Sequence, residues 1–297
     1  MASKAINTDR MKKMFNMDHA PKINLSLKDI PLKAQEMAGR MSISGVQPKL
    51  SVRLDKKLGE IVPATEKGEY ILKPQLQPFP NIPENENCCM DIAADLGIDT
   101  PSQCLLPLTD GTLAYIVKRF DRMRMEKIHQ EEFFQILEKK DKYQGSIEQI
   151  GKKLGEISAV PGLDIQLFFE RVVFNFLIGN GDAHFKNFSV LYHVPGGLRL
   201  SPAYDLVSSN LVIPNEQDSA LTVNGKKNNL SRKDFDAVAD LLEIPPRVRY
   251  ERFDGKMGQI GKVVTSSLMS GKFKEKLAQI LASRYERLKI QGAKDGV

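Results

Sequence analysis

Tryptophan is absent from this 297-residue chain, cysteine occurs only three times, and no apolar run approaches the roughly 18–20 residues that a membrane-spanning helix needs. Two of the cysteines are adjacent, Cys88-Cys89, so neither a disulfide framework nor the ligand spacing of a structural zinc site is on offer. A reducing compartment fits that usage. The N-terminus, MASKAINTDRMKKMFNMDHA, lacks the apolar core of a secretory leader, and a cytoplasmic location is expected. Basic residues are dispersed, and no zinc-finger or RNP-type aromatic motif is present, so reading of DNA or RNA sequence by this chain is not indicated. The lack of a polybasic cluster or a clear amphipathic membrane-binding helix argues against a membrane partner. Internal repeats and low-complexity tracts are missing too.

What the chain does have is an ordinary globular composition, 41% hydrophobic and 27% charged, enough to bury a sizeable core. Its net charge of +6 suggests an anionic partner, and a nucleotide, a nucleic acid or an acidic protein surface would each qualify.

Residues 1–40 are polar and Lys-rich, with Pro21 and Pro31 set against any long helix, and read as an arm over the first lobe. A small polar loop, Ser42 to Lys49, then enters the alternating strand Leu50 to Leu54. Backbone N–H groups of such a loop can cradle phosphate, with Lys49 adding charge, although a plain surface turn uses the same residues. The next strand, Glu69 to Pro74, carries Lys73 at the end of an apolar run. Pro83 to Gly97 follows as a helix, opened by proline and carboxylates and stopped by glycine. Its Glu86 could steady Lys73, or could serve only the helix dipole. Strands Gln103–Leu108 and Leu113–Phe120 flank the turn signal Thr109-Asp110-Gly111. Beyond them the pattern turns helical, at 130–140, 147–158, 231–243, 250–268 and 272–289, and residues 165–178 are apolar nearly all round, as in a buried central helix.

The stretch that carries chemistry leaves that helix: Gly179-Asn180-Gly181-Asp182-Ala183-His184-Phe185-Lys186-Asn187, then a hairpin with Pro195-Gly196-Gly197 at its bend, then Ala203-Tyr204-Asp205-Leu206. An Asp, an Asn five residues on and a second Asp beyond the hairpin is the order used in kinase-type phosphoryl transfer. The first Asp handles the acceptor hydroxyl, and the other two supply the hard oxygen donors that Mg²⁺ requires. Gly, Asn and Asp are also the commonest turn formers, so an ordinary turn is the other reading of the loop. His184 beside Asp182 could in principle take the proton; the expectation here gives that role to Asp182 and leaves His184 and the cysteines outside catalysis. Together these features predict an α+β, bilobal, protein-kinase-like fold, with a strand-rich N-lobe at 41–121 and a helical C-lobe at 122–297.

Six segments in order, Ser42–Leu50, Tyr70–Lys73, Asn85–Asn87, Val117–Arg122, Ile178–Asn187 and Leu200–Leu206, resemble the HipA-like toxin serine/threonine kinases of bacterial toxin–antitoxin systems. The resemblance implies ATP and Mg²⁺ as cofactors, Lys73 on the ATP phosphates with Glu86, Asp182 as catalytic base, and Asn187 with Asp205 on the metal. It implies a mobile phosphate loop in which Ser44, Gly45, Val46, Gln47 and Lys49 meet the nucleotide, with further contacts from His184 and Lys186. Adenine would meet the backbone of Lys118, Arg119 and Phe120; many relatives carry Glu where this chain has Lys118, so no side-chain contact is implied there. Autophosphorylation would fall on Ser42 or Ser44.

Full-length members carry a longer subdomain ahead of the phosphate loop, so the chain resembles the short form, HipT. That form implies a small HipS-like protein and a helix-turn-helix HipB-like antitoxin as partners, with DNA reached only through the antitoxin. The family's targets imply an aminoacyl-tRNA synthetase as protein substrate and inhibition of translation as the outcome. An inactive pseudokinase subunit of a DNA-binding complex and a kinase for a lipid or small molecule are the alternatives.

Overall fold

The computed structural model describes residues 8–38, 48–123, 126–193 and 196–291. The expected phosphate-loop residues Ser42, Ser44, Gly45, Val46 and Gln47, and Pro195 of the hairpin bend, lie outside the described residues. The chain divides into two compact units, Met1–Cys88 with Pro101–Lys127 and Ser267–Met269, and Cys89–Thr100 with Ile128–Ser266 and Ser270–Val297.

The first unit is built on an antiparallel sheet of β1 (Leu50–Asp55), β2 (Glu60–Pro63), β3 (Tyr70–Pro74), β4 (Gln103–Pro107) and β5 (Leu113–Lys118), in the order β2-β1-β3-β5-β4. The β4–β5 turn is closed as its sequence demands. Gly111 takes φ +80°, and Asp110 accepts from Thr112 N at 3.0 Å and from Leu27 N at 2.7 Å. Leu50, Val52, Leu72, Leu106 and Ile116 form the core of this unit.

The described part of the arm contributes to that core. Helices α1 (Thr8–Phe15) and α2 (Asp29–Ala38) place Met11, Met14, Phe15 and Ile30 in the same cluster. Pro31 does not break α2, since it falls in the first turn, where a backbone N–H has no intrahelical partner to lose. Helix α3 (Ile82–Asp95) contributes its residues up to Cys88 to the first unit and the remainder to the second. A two-residue ribbon, β6 (Arg122–Met123) with β7 (Glu126–Lys127), ends the first unit's second segment.

The second unit contains a three-stranded sheet, β10 (Gly197–Leu200), β9 (Ser189–His193) and β8 (Gln130–Glu132), with helices α4 (Phe133–Ile136), α5 (Ile147–Ile157), α6 (Pro161–Ile178), α7 (Arg232–Leu241), α8 (Met257–Ser266) and α9 (Gly271–Leu288). Helix α6 is the buried one. Phe168, Phe169, Val172, Val173, Phe174, Phe176, Leu177 and Ile178 are all buried, at about 1.5–3 kcal/mol of transfer free energy each. Pro161 opens the helix, and Asp164 in its first turn accepts from Ser158 Oγ (2.6 Å), Leu200 N (2.9 Å) and Arg199 Nη2 (2.9 Å), tying α6 to β10.

Two expected helices are shorter than their sequences suggest. Residues 130–132 pair with β9 as a strand, and α4 ends at Ile136, with Glu138 at φ +49° turning the chain away. Within 250–268 the helix starts only at Met257, because residues 251–255 are turns that end on Gly255 at φ +70°. No helix among the described residues is long and apolar enough to cross a membrane.

Candidate active site

Helix α6 stops at Gly179, whose φ of +72° is the left-handed cap that glycine tolerates best. Asn180 follows, buried, and its amide donates to Asn175 Oδ1 (2.8 Å) and to the backbone carbonyl of Asp205 (3.3 Å). It thereby joins the end of α6 to the residue expected to bind metal. Gly181 donates its N–H to Ser209 Oγ at 2.8 Å, and a β-carbon there would stand 2.4 Å from the Gln217 carbonyl, so only glycine fits. Ser209 in turn donates to Glu216 Oε2 at 2.6 Å, and burial, with Asp182 nearby as a like charge, holds Glu216 above the ordinary carboxylate range.

Asp182 is half-buried, and its Oδ1 accepts the phenolic hydroxyl of Tyr143 at 2.8 Å. His184 is buried, with Lys142 Nζ 2.8 Å from its Nε2. An ammonium can only donate, so Nε2 accepts and the ring proton belongs on Nδ1. Burial lowers the His184 pKa, which disfavours the charged ring. Lys186 Nζ lies over the Phe134 ring, 4.6 Å from its centroid, and the Lys186 carbonyl accepts from Tyr204 OH at 2.8 Å.

The hairpin does what its spacing predicted. Val190 pairs with Leu200, and Asn187 Nδ2 comes within 3.3 Å of Asp205 Oδ2. Asn187 Oδ1 accepts from the His184 N–H at 2.9 Å and keeps a second lone pair. Asp205 sits at φ +54°, a left-handed conformation uncommon outside glycine, with Asn and Asp among the residues that adopt it. An amide oxygen and a carboxylate are both hard donors, so this pair fits Mg²⁺ chemically.

In the first unit, β3 carries Lys73 and α3 carries Glu86, and their charged ends meet at 2.6 Å with side chains 11% and 5% exposed. Lys73 Nζ also stands 5.7 Å from the centre of the Tyr115 ring. A buried lysine held by the next helix's glutamate is the arrangement that positions an ammonium for phosphate. Lys49 is half-buried at the entry to β1. The N–H groups of Lys118 and Arg119 are taken by the carbonyls of Ser102 and Glu69, both at 2.8 Å, and Arg119 forks onto Asp121 at 2.9 and 2.7 Å. Sequence reasoning gave no role to Tyr143, Ser209 or Glu216. Asn180 stood inside the quoted motif, whereas nothing in the sequence pointed to the other three.

Residues 41–277 match the HipA-like C-terminal domain. This chain belongs to that family. Among HipA-like relatives, "Putative kinase Y4dM" of Sinorhizobium fredii is 38% identical over 73% of this chain and 57% of its own length. The serine/threonine-protein kinase toxin HipA of Shewanella oneidensis is 26% identical over 72% of this chain and 54% of its own. The chain spans 51% to 60% of the length of four curated relatives it matches. Shewanella oneidensis HipA, solved with HipB and operator DNA, aligns with a TM-score of 0.70 at 24% identity, covering 84% of this chain and 65% of that one. The Helicobacter pylori proinflammatory kinase CtkA aligns at 0.58 and 18%, covering 84% and 91%. The fold is therefore the α+β fold of HipA-like kinases.

Proposed function

We propose that this HipA-like chain is an ATP-dependent serine/threonine protein kinase of the toxin type. The observation that carries the reading is the loop and hairpin that set Asp182 five residues before an Asn187 in direct contact with Asp205. In the proposed reaction an acceptor hydroxyl oxygen forms the new bond to the γ-phosphorus while the bond to the bridging oxygen of ADP breaks, and ADP leaves with that electron pair. Asp182 receives the hydroxyl proton. Lys73, fixed by Glu86, holds the ATP phosphates, and Lys49, His184 and Lys186 are further nucleotide contacts. Asn187 and Asp205 hold Mg²⁺, which neutralises phosphate charge when bound. The Lys118 to Phe120 segment is the proposed hinge for adenine, with the Lys118 and Arg119 N–H groups bonded to Ser102 and Glu69.

The finer reading follows from the resemblance. The acceptor is a serine of an aminoacyl-tRNA synthetase, its modification inhibits translation in the cytoplasm, and Ser42 or Ser44 is autophosphorylated. A HipB-like antitoxin is the proposed route to DNA, supported by the HipB and operator DNA in the Shewanella complex. A small HipS-like protein is the second partner, to be sought by co-purification.

The test is incubation with labelled ATP in bacterial extract, with Asp182→Ala and Asp205→Ala as controls. Label in one protein band, lost in both variants while circular dichroism is unchanged, supports the reading. Label in lipid would move the acceptor class, and no label would leave the pseudokinase subunit. Phosphate on Ser42 or Ser44 should appear by mass spectrometry only in protein with Asp182 intact.

A further inference from the structure

Asp182 already has a hydroxyl on it. Tyr143, from the polar turn between α4 and α5, donates to Asp182 Oδ1 at 2.8 Å, inside the ~2.6–3.2 Å reach that a general base needs to the group it deprotonates. The phenol thus makes the contact that phosphoryl transfer requires of the acceptor. We propose that Tyr143 occupies the acceptor-hydroxyl position on Asp182, so that a protein acceptor engages the base by displacing it. This rests on the kinase reading of Asp182.

The surroundings suit a group that is placed but replaceable. Tyr143 is 38% exposed, and its ring meets the edge of His184 at 5.3 Å, with Lys142 Nζ 4.7 Å from its centroid. Its backbone is held by polar contacts: its N–H to Asp141 Oδ1 at 2.8 Å, and its carbonyl to Lys227 Nζ at 2.9 Å. The turn is bounded by Glu138 at φ +49° and Gly145 at φ +153°, two positions where the chain changes direction. Burial and then the Asp182 contact raise the phenol's pKa, so it remains a donor at neutral pH.

The consequence concerns which hydroxyl is used. Water is a small acceptor with no docking contacts, and it must compete with a phenol already bonded to the base. A protein segment brings binding contacts that offset the displacement. Tyr143 is therefore a specificity-determining residue that suppresses hydrolysis of ATP in favour of transfer to protein.

The test uses the full chain and Tyr143→Phe, which keeps the ring and removes the hydroxyl. Hydrolysis of Mg-ATP in the absence of protein acceptor should rise about tenfold, the scale of one hydrogen bond to a charged group, with the KM for ATP unchanged. A second readout does not need turnover. With no tryptophan in the chain, the absorbance of its seven tyrosines can be titrated cleanly, and the phenol missing in Tyr143→Phe should be one that ionises at lower pH in Asp182→Asn. Hydrolysis that stays level or falls, or a Tyr143 titration indifferent to Asp182→Asn, overturns the proposal while label lost in Asp182→Ala extract leaves the kinase reading standing. If parent and variants all fail to transfer phosphate to anything, the kinase reading falls and this proposal falls with it.

Discussion

Removing the carboxylate of Glu86 should separate what the Lys73–Glu86 pair does for the fold from what it does for the nucleotide. The two charges meet at 2.6 Å with only 5% and 11% of their side chains exposed, so they feel little of the screening that makes surface pairs weak. Glu86→Ala deprives the Lys73 ammonium of its carboxylate partner in a buried position, which costs about 3–5 kcal/mol. Replacing both together is different, because Lys73→Met with Glu86→Leu takes away two desolvation penalties along with the attraction between the charges. The double variant should lie near the parent or up to ~1–4 kcal/mol above it. Urea unfolding at pH 7 of the parent, Lys73→Met, Glu86→Leu and the double variant, read as a double-mutant cycle with Glu86→Ala measured beside it, tests this directly. Calorimetric titration with Mg-ATP should show binding weakened in every variant. A Glu86→Ala protein within 1 kcal/mol of the parent, or a double variant as unstable as the two single losses summed, would refute the argument.

The Asp164 carboxylate should make α6 sensitive to acid. Burial alone would raise its pKa, but Arg199, Ser158 and the Leu200 N–H outweigh that and hold it below 3.8. Its stabilisation is therefore present above 3.8 and is lost as pH falls through the folded value. Asp164→Asn should lose ~1.5–3 kcal/mol at pH 7, and the gap to the parent should close in unfolding experiments carried down to strongly acidic pH. Gly181→Ala should cost about 1–3 kcal/mol in thermal or urea unfolding and should reduce turnover, because its new methyl meets the Gln217 backbone. His184→Gln should keep phosphoryl transfer, since a side-chain amide oxygen can replace Nε2 as acceptor for Lys142; loss of activity at every pH with Asp182→Asn still active would reverse the choice of base.

What could be read in advance followed from local chemistry. Strands β1, β3, β4 and β5 alternate or carry turn signals, and α6 is apolar around its whole circumference, so each element announces its own burial. The Asn187–Asp205 contact was legible for the same reason, because a hairpin is a local device that returns the chain upon itself. Elements made by distant pairing were not. Residues 130–132 became a strand because β9, some sixty residues on, offers them a ladder, whereas Gln130 to Lys140 taken alone has good helix formers. Helices α1 and α2 were hidden by lysines on their solvent faces, and their few buried methionines, phenylalanine and isoleucine gained meaning only against the sheet. Tyr143 gave no signal at all. It is one aromatic residue in a charged turn, and what singles it out is a hydrogen bond spanning 39 positions.

The contact between Asn187 and Asp205 has a consequence in charge. Together the two side chains supply a single negative charge, and an amide donor in place of a second carboxylate keeps the pair from repelling itself at 3.3 Å. Mg²⁺ surrenders its hydration shell reluctantly, and one carboxylate with one neutral oxygen is a weak claim on it in water. On the proposed assignment the balance is supplied by the triphosphate, so ion and nucleotide arrive and leave as one ligand. On that assignment ATP binding would itself be the event that charges the site with its metal.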